Sequence, residues 1–347
     1  MSINCLLEAQ RLSQGTCLTC TSLGEYLPAC QVTIKRAKTS SKGLYSRVIK
    51  SMHLSRPEDY FSIYQSGCNH NCLKCHSSDF TKHVNGEWYS SEMLAKISLQ
   101  YLKEVTVFEP LDRATMYHAE DLCHHCGSCV LFGVRSKYCP QKLRKSQIVL
   151  SPQGFGPARN IIAFTGGDIS CHPAFYAQTA TKIKLSSHNR LWVLLETNGY
   201  ALTHKNLLVL KEGGIDAFWL DIKAFNQQVY KKLCGVPSNA TVLGSLKLMK
   251  DLEFTVEVLT LYIPGFVESD QHQQIAKLIS EIDPKIPTTL LAFFPSYQLV
   301  NHRSPTFKEM LTSYSIMKGE GLINLRLGNI GIFAKTPEER EILFGIK

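Results

Sequence analysis

From residue 160 onward the chain alternates short, near-continuous apolar runs with amphipathic stretches. The runs fall at 161–164, 191–195, 217–220, 255–262, 288–294 and 324–327. Strands buried on both faces read this way, because neither side of the pleat meets water. Between them, 173–185, 207–212, 240–252, 271–282 and 307–318 carry apolar residues three and four apart, which predicts helices. One more apolar run, 60–64, lies upstream. After it, 91–104 places Met93, Leu94, Ile97, Leu99 and Leu102 on one helical face, with Ser91 as its N-cap. Repeated strand–helix crossovers imply parallel strands with right-handed connections. Counting from Tyr60 gives six main strands and a short seventh, fewer than the eight of a closed barrel. The fold class expected is α/β: a partial (β/α)6-type TIM barrel with a cysteine-rich N-terminal arm and a cysteine-rich insertion.

The expected division is a cysteine-rich arm over 1–52, the partial barrel over 53–335 interrupted by an insertion over 105–150, and a tail over 336–347. Polar or glycine-rich signatures stand just past the predicted strands: Gly166-Gly167-Asp168, Glu196-Thr197-Asn198-Gly199 and Asp221-Ile222-Lys223. In parallel β/α barrels that rim carries the chemistry.

The cysteines add a second layer. Cys68, Cys72 and Cys75 follow the first strand at C-x3-C-x2-C spacing. Three close thiolates suit an iron–sulfur cluster, which normally takes four ligands, so one iron would keep an open position. Part of a zinc knuckle or of a four-cysteine ferredoxin-type site reads the same way at this point. Cys123, Cys126, Cys129 and Cys139 form a second set in the insertion. Cys5, Cys17, Cys20 and Cys30 form a third in the arm. The latter two sets share a C-x2-C-x9-C spacing with a fourth cysteine upstream. Each reads as a [4Fe–4S] site or a single-metal site. Cys171 and Cys234 are expected to be buried cysteines without a metal role. Lys35, Arg36, Lys38, Lys42, Arg47 and Lys50 read as a solvated basic stretch.

The 347 residues hold 13 cysteines. Residues 1–6 show no basic start followed by an apolar run, so no signal peptide is expected. No stretch of about 18 uncharged apolar residues occurs, so no membrane span is expected. The cysteines then read as metal ligands in a reducing cytoplasm rather than as disulfides. The formal charge is +9. With one three-cysteine and two four-cysteine clusters loaded it would fall to roughly +4, which does not demand a nucleic-acid partner.

The three-cysteine loop with His76 behind it, Gly166-Gly167-Asp168, and the strand ends at 196–199 and 221–223 resemble the radical S-adenosylmethionine (SAM) superfamily. The pattern is most similar to glycyl-radical-enzyme (pyruvate formate-lyase) activating enzymes, over 58–335 apart from the insertion; Leu233-Cys234-Gly235-Val236-Pro237 fits too. The resemblance implies a [4Fe–4S] cluster on Cys68, Cys72 and Cys75 whose open iron takes SAM. It implies SAM contacts at Gly166, Gly167, Asp168, Thr197, Asn198, Asp221 and Lys223. Reductive cleavage of SAM to a 5′-deoxyadenosyl radical would then abstract hydrogen from a protein or peptide substrate. An electron donor such as ferredoxin or flavodoxin would serve it. RNA or a small metabolite as substrate, or radical C-methylation, is the alternative. Asp168 stands where the family usually has Glu, and three further departures stand out: Lys74 before the third cysteine, one four-cysteine set in the insertion where long-form activating enzymes have two, and the arm, which is not part of the pattern.

Overall fold

The computed structural model describes residues 7, 10, 17–37 and 43–345. Cys5, Lys38, Lys42, Ile346 and Lys347 of the sequence expectations lie outside them.

Two short strands, β1 (Leu18–Cys20) and β2 (Tyr26–Pro28), form a small antiparallel pair. They lead into β3 (Ile34–Ala37), β4 (Leu44–Leu54), β5 (Phe61–Gln65) and β6 (Glu87–Ser90). The pair β7 (Val149–Ser151) and β8 (Gly154–Gly156) closes the insertion. The remaining strands are β9 (Ile161–Gly166), β10 (Trp192–Thr197), β11 (Ala217–Asp221), β12 (Thr255–Tyr262), β13 (Thr288–Ala292) and β14 (Leu325–Gly328). The large sheet has ten strands, in the order β14-β13-β12-β11-β10-β9-β5-β4-β3, with β6 on β4. Strands β5 and β9 to β14 are parallel neighbours. The sheet is open, as a partial barrel requires: β14 and β5 are not hydrogen-bonded to each other.

Alternation along the strands builds two apolar layers. Ile162, Phe164, Val193, Leu195, Phe218 and Leu220 point outward to the helices. Ile161, Ala163, Leu194, Ala217 and Leu259 point inward with Tyr60, Ala114 and Met116. The flanking helices run Ser91–Tyr101, Pro173–Ser186, His204–Glu212, Gln227–Cys234, Ala240–Asp251, Ser269–Ile282 and Phe307–Gly319. Ser90, not Ser91, caps the first, accepting from Met93 N. Gln227–Cys234 is a helix that the sequence reading passed over. Its four-residue apolar spacing, Tyr230 to Cys234, is too short a signal to separate from a loop. The C-terminal residues 337–345 are also helical.

The N-terminal side differs most from expectation. The basic stretch contributes β3 and β4 to the main sheet, so β4 runs straight through the expected division at 52/53. Long β-pairing to β5 and β6, invisible in local pattern, makes arm and barrel one sheet. Among the described residues, no helix is long and apolar enough to cross a membrane.

Candidate functional site

The loop bearing Cys68, Cys72 and Cys75 leaves the C-terminal end of β5. Parallel register with β9 sets Gln65 beside Gly166, so the two motif loops emerge together. Gly167 N donates to Gln65 O at 2.9 Å and Asn69 N to Asp168 O at 2.8 Å. Glycine is required at 167: a Cβ there would lie 2.1 Å from Gly67 O. On the other side the loop docks on the end of the helix Gln227–Cys234. Asn71 N donates to Cys234 O at 3.0 Å and Leu73 N to Leu233 O at 2.9 Å. Gly235, at φ 72°, ends that helix in the left-handed conformation. From above, Ser296 Oγ donates to Lys74 O at 2.8 Å and Gln298 N to Leu73 O at 3.0 Å, so the segment after β13 returns over the same loop.

Arg47 holds the two motif loops from behind. It is fully buried. Its guanidinium donates to Gly167 O at 2.8 Å, to Ser66 O at 3.3 Å, to Gly67 O at 3.4 Å and to Tyr176 OH at 2.6 Å. A residue read as part of a solvated basic stretch is thus a buried clamp. Burial along β4 does not alternate, Arg47, Val48 and Ile49 being buried in a row, so no local pattern marks it.

Asp168 is buried at the rim. Its Oδ2 accepts from Thr197 Oγ1 at 2.7 Å and Asn198 N at 2.9 Å, and its Oδ1 from Ser170 N at 2.7 Å. It therefore ties the β9 end to the β10 end and keeps one lone-pair direction for a ligand cation. Asn198 Nδ2 donates to Asn69 Oδ1 at 2.6 Å and reaches Cys68 Sγ at 3.9 Å. His70 is buried and neutral, since burial drives its pKa well below the ordinary value. Its Nδ1–H faces Asn69 Oδ1 at 2.9 Å, and Tyr230 OH donates to Nε2 at 2.6 Å. It braces the loop and is not part of the thiol group.

The thiols sit among cations. Burial pushes the bare Cys68 thiol up to about 12. The neighbouring Cys234 holds Cys72 down, with Lys223, Lys82 and Lys74 adding to the fall, while burial first and Cys72 second hold Cys234 up. Cys75 Sγ meets Thr81 Oγ1 at 3.3 Å. Lys223 pairs with Asp221. Burial works against the Asp221 charge, but Lys223 and Lys74 together keep its pKa low. Burial brings His76 down to about 4, with Lys74 and Lys223 helping.

A cavity of ≈ 400 Å³ runs down from this rim. Cys68, Cys72, Cys75, Asp168, Thr197, Asn198, Asp221 and Lys223 all line it; so do the inward residues Trp219, Leu259, Leu261 and Leu291. Met116, Glu120 and Arg326 line it as well. Tyr117, just ahead of the insertion cysteines, is fixed through its backbone: its N–H donates to Glu257 Oε2 at 2.8 Å and its carbonyl accepts from Arg326 at 2.5 Å. Asp121 instead faces Arg113 and His118. Glu58 and Glu196 also line the cavity. Burial lifts Glu58 to about 7 and Glu196 to about 8, against hydrogen bonds to Glu196 from Thr165 and Tyr60.

Glu196 makes a testable pH statement. Its folded pKa lies above the ordinary 4.5. The folded state therefore binds more protons than the unfolded chain between about pH 4.5 and 8, and stability falls as pH rises through that window. Glu196→Gln keeps the shape without the ionisation. The variant should gain on the parent by roughly 2–4 kcal/mol between pH 5.5 and 8.5 in urea unfolding. Parallel curves for the two proteins would remove the assignment.

The donor set fits a [4Fe–4S] cluster with SAM. Three thiols stand on one loop, lysines offset thiolate charge, and the buried Asn69 Nδ2 and Gln65 Oε1 lack partners. In the insertion, His125 N donates to Cys123 Sγ at 3.3 Å. Cys123 also feels Cys126 and Cys129. Cys139 Sγ accepts from Arg135 at 3.6 Å. His125 Nε2 reaches Asp59 at 2.9 Å, which fastens the insertion to the turn before β5. Among the described residues no three Cys, His, Asp or Glu side chains converge closely enough to hold a single metal ion.

Residues 123–279 match the radical SAM superfamily. The matched span includes the 166–168, 196–199 and 221–223 motifs and begins after the Cys68–Cys75 loop. A Methanocaldococcus jannaschii protein named among glycyl-radical enzyme activating enzymes is 28% identical over 161 residues. That alignment takes in 45% of this chain, and the chain spans 58% of that relative's length. A domain of pyruvate-formate lyase-activating enzyme from Bacteroides vulgatus aligns at TM-score 0.40 and 16% identity, over 48% of this chain and 98% of that one. Streptococcus suis SuiB aligns at TM-score 0.47 and 11% identity, over 80% of this chain and 50% of SuiB.

Proposed function

We propose, on the premise that the chain belongs to the radical SAM superfamily, that it cleaves SAM reductively and abstracts hydrogen from a protein or peptide. The observation that carries this is the meeting of three thiols from one loop with the ends of β9, β10 and β11 at the head of one cavity. The family implies a [4Fe–4S] cluster and SAM. Cys68, Cys72 and Cys75 would hold the cluster. Loaded with SAM, the cluster would supply the one electron that reductive cleavage of the sulfonium consumes.

The chain's own residues do the rest. Asp168 offers its remaining lone pair to the SAM ammonium while Thr197 and Asn198 hold its carboxylate still. Lys74 and Lys223 balance thiolate charge at the loop. Trp219, Leu259, Leu261 and Leu291 give the cavity a mostly apolar wall. Glu196, raised by burial to about 8, stays mostly protonated near pH 7, and Glu58, raised to about 7, is about half protonated there, which limits the charge in the cavity. A protein substrate accords with the name of the M. jannaschii relative. Cys123, Cys126, Cys129 and Cys139 are proposed as an auxiliary metal site. A reduced ferredoxin or flavodoxin in the cytoplasm would supply the electron.

Anaerobic reconstitution with iron and sulfide, followed by dithionite and SAM, should yield 5′-deoxyadenosine and methionine in equal amounts. A fully loaded protein that releases neither would end the proposal.

A further inference from the structure

One thiol of the cluster loop meets a buried hydroxyl. Cys75 Sγ lies 3.3 Å from Thr81 Oγ1, which has no other hydrogen-bond partner among the described residues. Thr81 is 1% exposed. By contrast, Cys68 Sγ meets Asn198 Nδ2 only at 3.9 Å, and that group is already given to Asn69 Oδ1 at 2.6 Å. A cysteine bound to iron is a thiolate without a proton. In the loaded protein the Thr81 hydroxyl is therefore the donor and the Cys75 sulfur the acceptor.

Two sets of contacts fix Thr81. It ends the short helix Ser78–Thr81, with its N–H on Ser77 O at 2.9 Å. One residue earlier, Phe80 O accepts from Gly67 N at 2.9 Å and from Ser66 Oγ at 2.8 Å, which ties this helix to the exit of β5. From the other side comes the N-terminal arm. Thr19, fully buried on β1, donates through Oγ1 to Thr81 O at 3.4 Å. Cys20 N donates to Lys82 O at 2.7 Å, and Val84 N to Cys20 O at 2.8 Å. β1 thus runs alongside residues 81–84, with Cys20 bridged in parallel to His83. The arm, which stands outside the family resemblance, holds the backbone that carries the hydroxyl.

We propose that Thr81 sets the reduction potential of the cluster that Cys75 helps to hold, and that β1 of the arm keeps its hydroxyl on the sulfur. The inference rests on the cluster reading under Proposed function. Hydrogen bonds to the ligand sulfurs are among the features that set a cluster's potential. Reduction adds one negative charge, and a bond to a more negative sulfur is stronger. The Thr81 hydroxyl therefore favours the reduced cluster and makes it easier to charge. Thr81 acts through Cys75; it is a positioning residue, not a catalytic one.

The test is an EPR-monitored redox titration of the full-length reconstituted protein before SAM is added. Thr81→Val removes the hydroxyl and keeps the branched shape. At one fixed potential its ratio of reduced to oxidised cluster should lie about three- to tenfold below the parent's. That is a negative shift of about 30–60 mV for one electron. Thr81→Ser should keep the parent's midpoint, and Thr19→Val should move it in the same direction by less. A parental midpoint in Thr81→Val, or a Thr81→Ser midpoint displaced as far as that of Thr81→Val, would overturn the assignment. A parental midpoint in Thr19→Val would remove the arm from it. Should Thr81→Val take up no iron, Thr81→Ala gives the same comparison. If neither loads, the residue serves assembly of the cluster and not its potential, and the assignment fails. A parent that assembles no cluster would instead end the reading on which the inference rests.

Discussion

Replacing Cys68, Cys72 and Cys75 with alanine is expected to remove about four irons per chain and to lower 5′-deoxyadenosine formation by at least ~10³-fold. The size of the loss follows from how the loop is built. All three thiols hang on one segment between β5 and the helix Gln227–Cys234, and its backbone is already held by Asp168, Cys234 and Leu233. Removing the sulfurs should therefore leave that scaffold standing, so the loss reports on ligation and not on unfolding. Lys74, Lys82 and Lys223 would then face the site without thiolate partners. Iron analysis with a single-turnover assay makes the measurement. Iron and yield both at parental levels would show that the chemistry lies elsewhere. Iron lost without loss of yield would mean the same.

Gly167→Ala should be nearly as damaging by a different route. The added Cβ would meet Gly67 O at 2.1 Å, Gln65 O at 2.6 Å and Gly67 C at 2.8 Å. Every one of these is backbone, so no side chain can swing away. The ends of β5 and β9 must part, and Arg47 loses its grip on Gly167 O. A destabilisation of roughly 3 kcal/mol or more is expected. That corresponds to a Tm drop of about 4 °C or more in a chain of this size. Iron occupancy should fall with it, because Cys68 directly follows Gly67. Gly244, in the helix Ala240–Asp251, has nothing within 4 Å of its Cβ position. Gly244→Ala should be neutral, or stabilising by about 0.5–1 kcal/mol. Equal Tm and iron content in the two variants would contradict the close packing of the two loops.

Much of this architecture is written in local order. Near-continuous apolar runs marked the strands from β9 onward, because a strand covered on both faces has little polar side to show. Thr255–Tyr262 came out to the residue. The rim motifs were legible for a related reason: in a parallel sheet every strand ends on the same side, so order along the chain becomes adjacency in space. Asp168, Thr197, Asn198, Asp221 and Lys223 do line one cavity with the three cysteines.

Other features exist only once distant segments pair. Arg47 carries no local mark that separates it from Lys35 or Lys50; pairing of β4 with β5 and β6 buries it against Gly167. Spacing grouped Cys17 with Cys20, yet β1 is extended and turns the two apart, Cys17 buried and Cys20 toward solvent. Asp168 looked like a ligand group held ready, and cross-strand contacts give most of its oxygens to Thr197, Asn198 and Ser170. Periodicity and motif order are properties of neighbours along the chain, so the residues alone decided the barrel and its rim. Which buried charge meets which carbonyl, and which sulfur turns inward, depends on register between segments far apart, and only the folded sheet decides that.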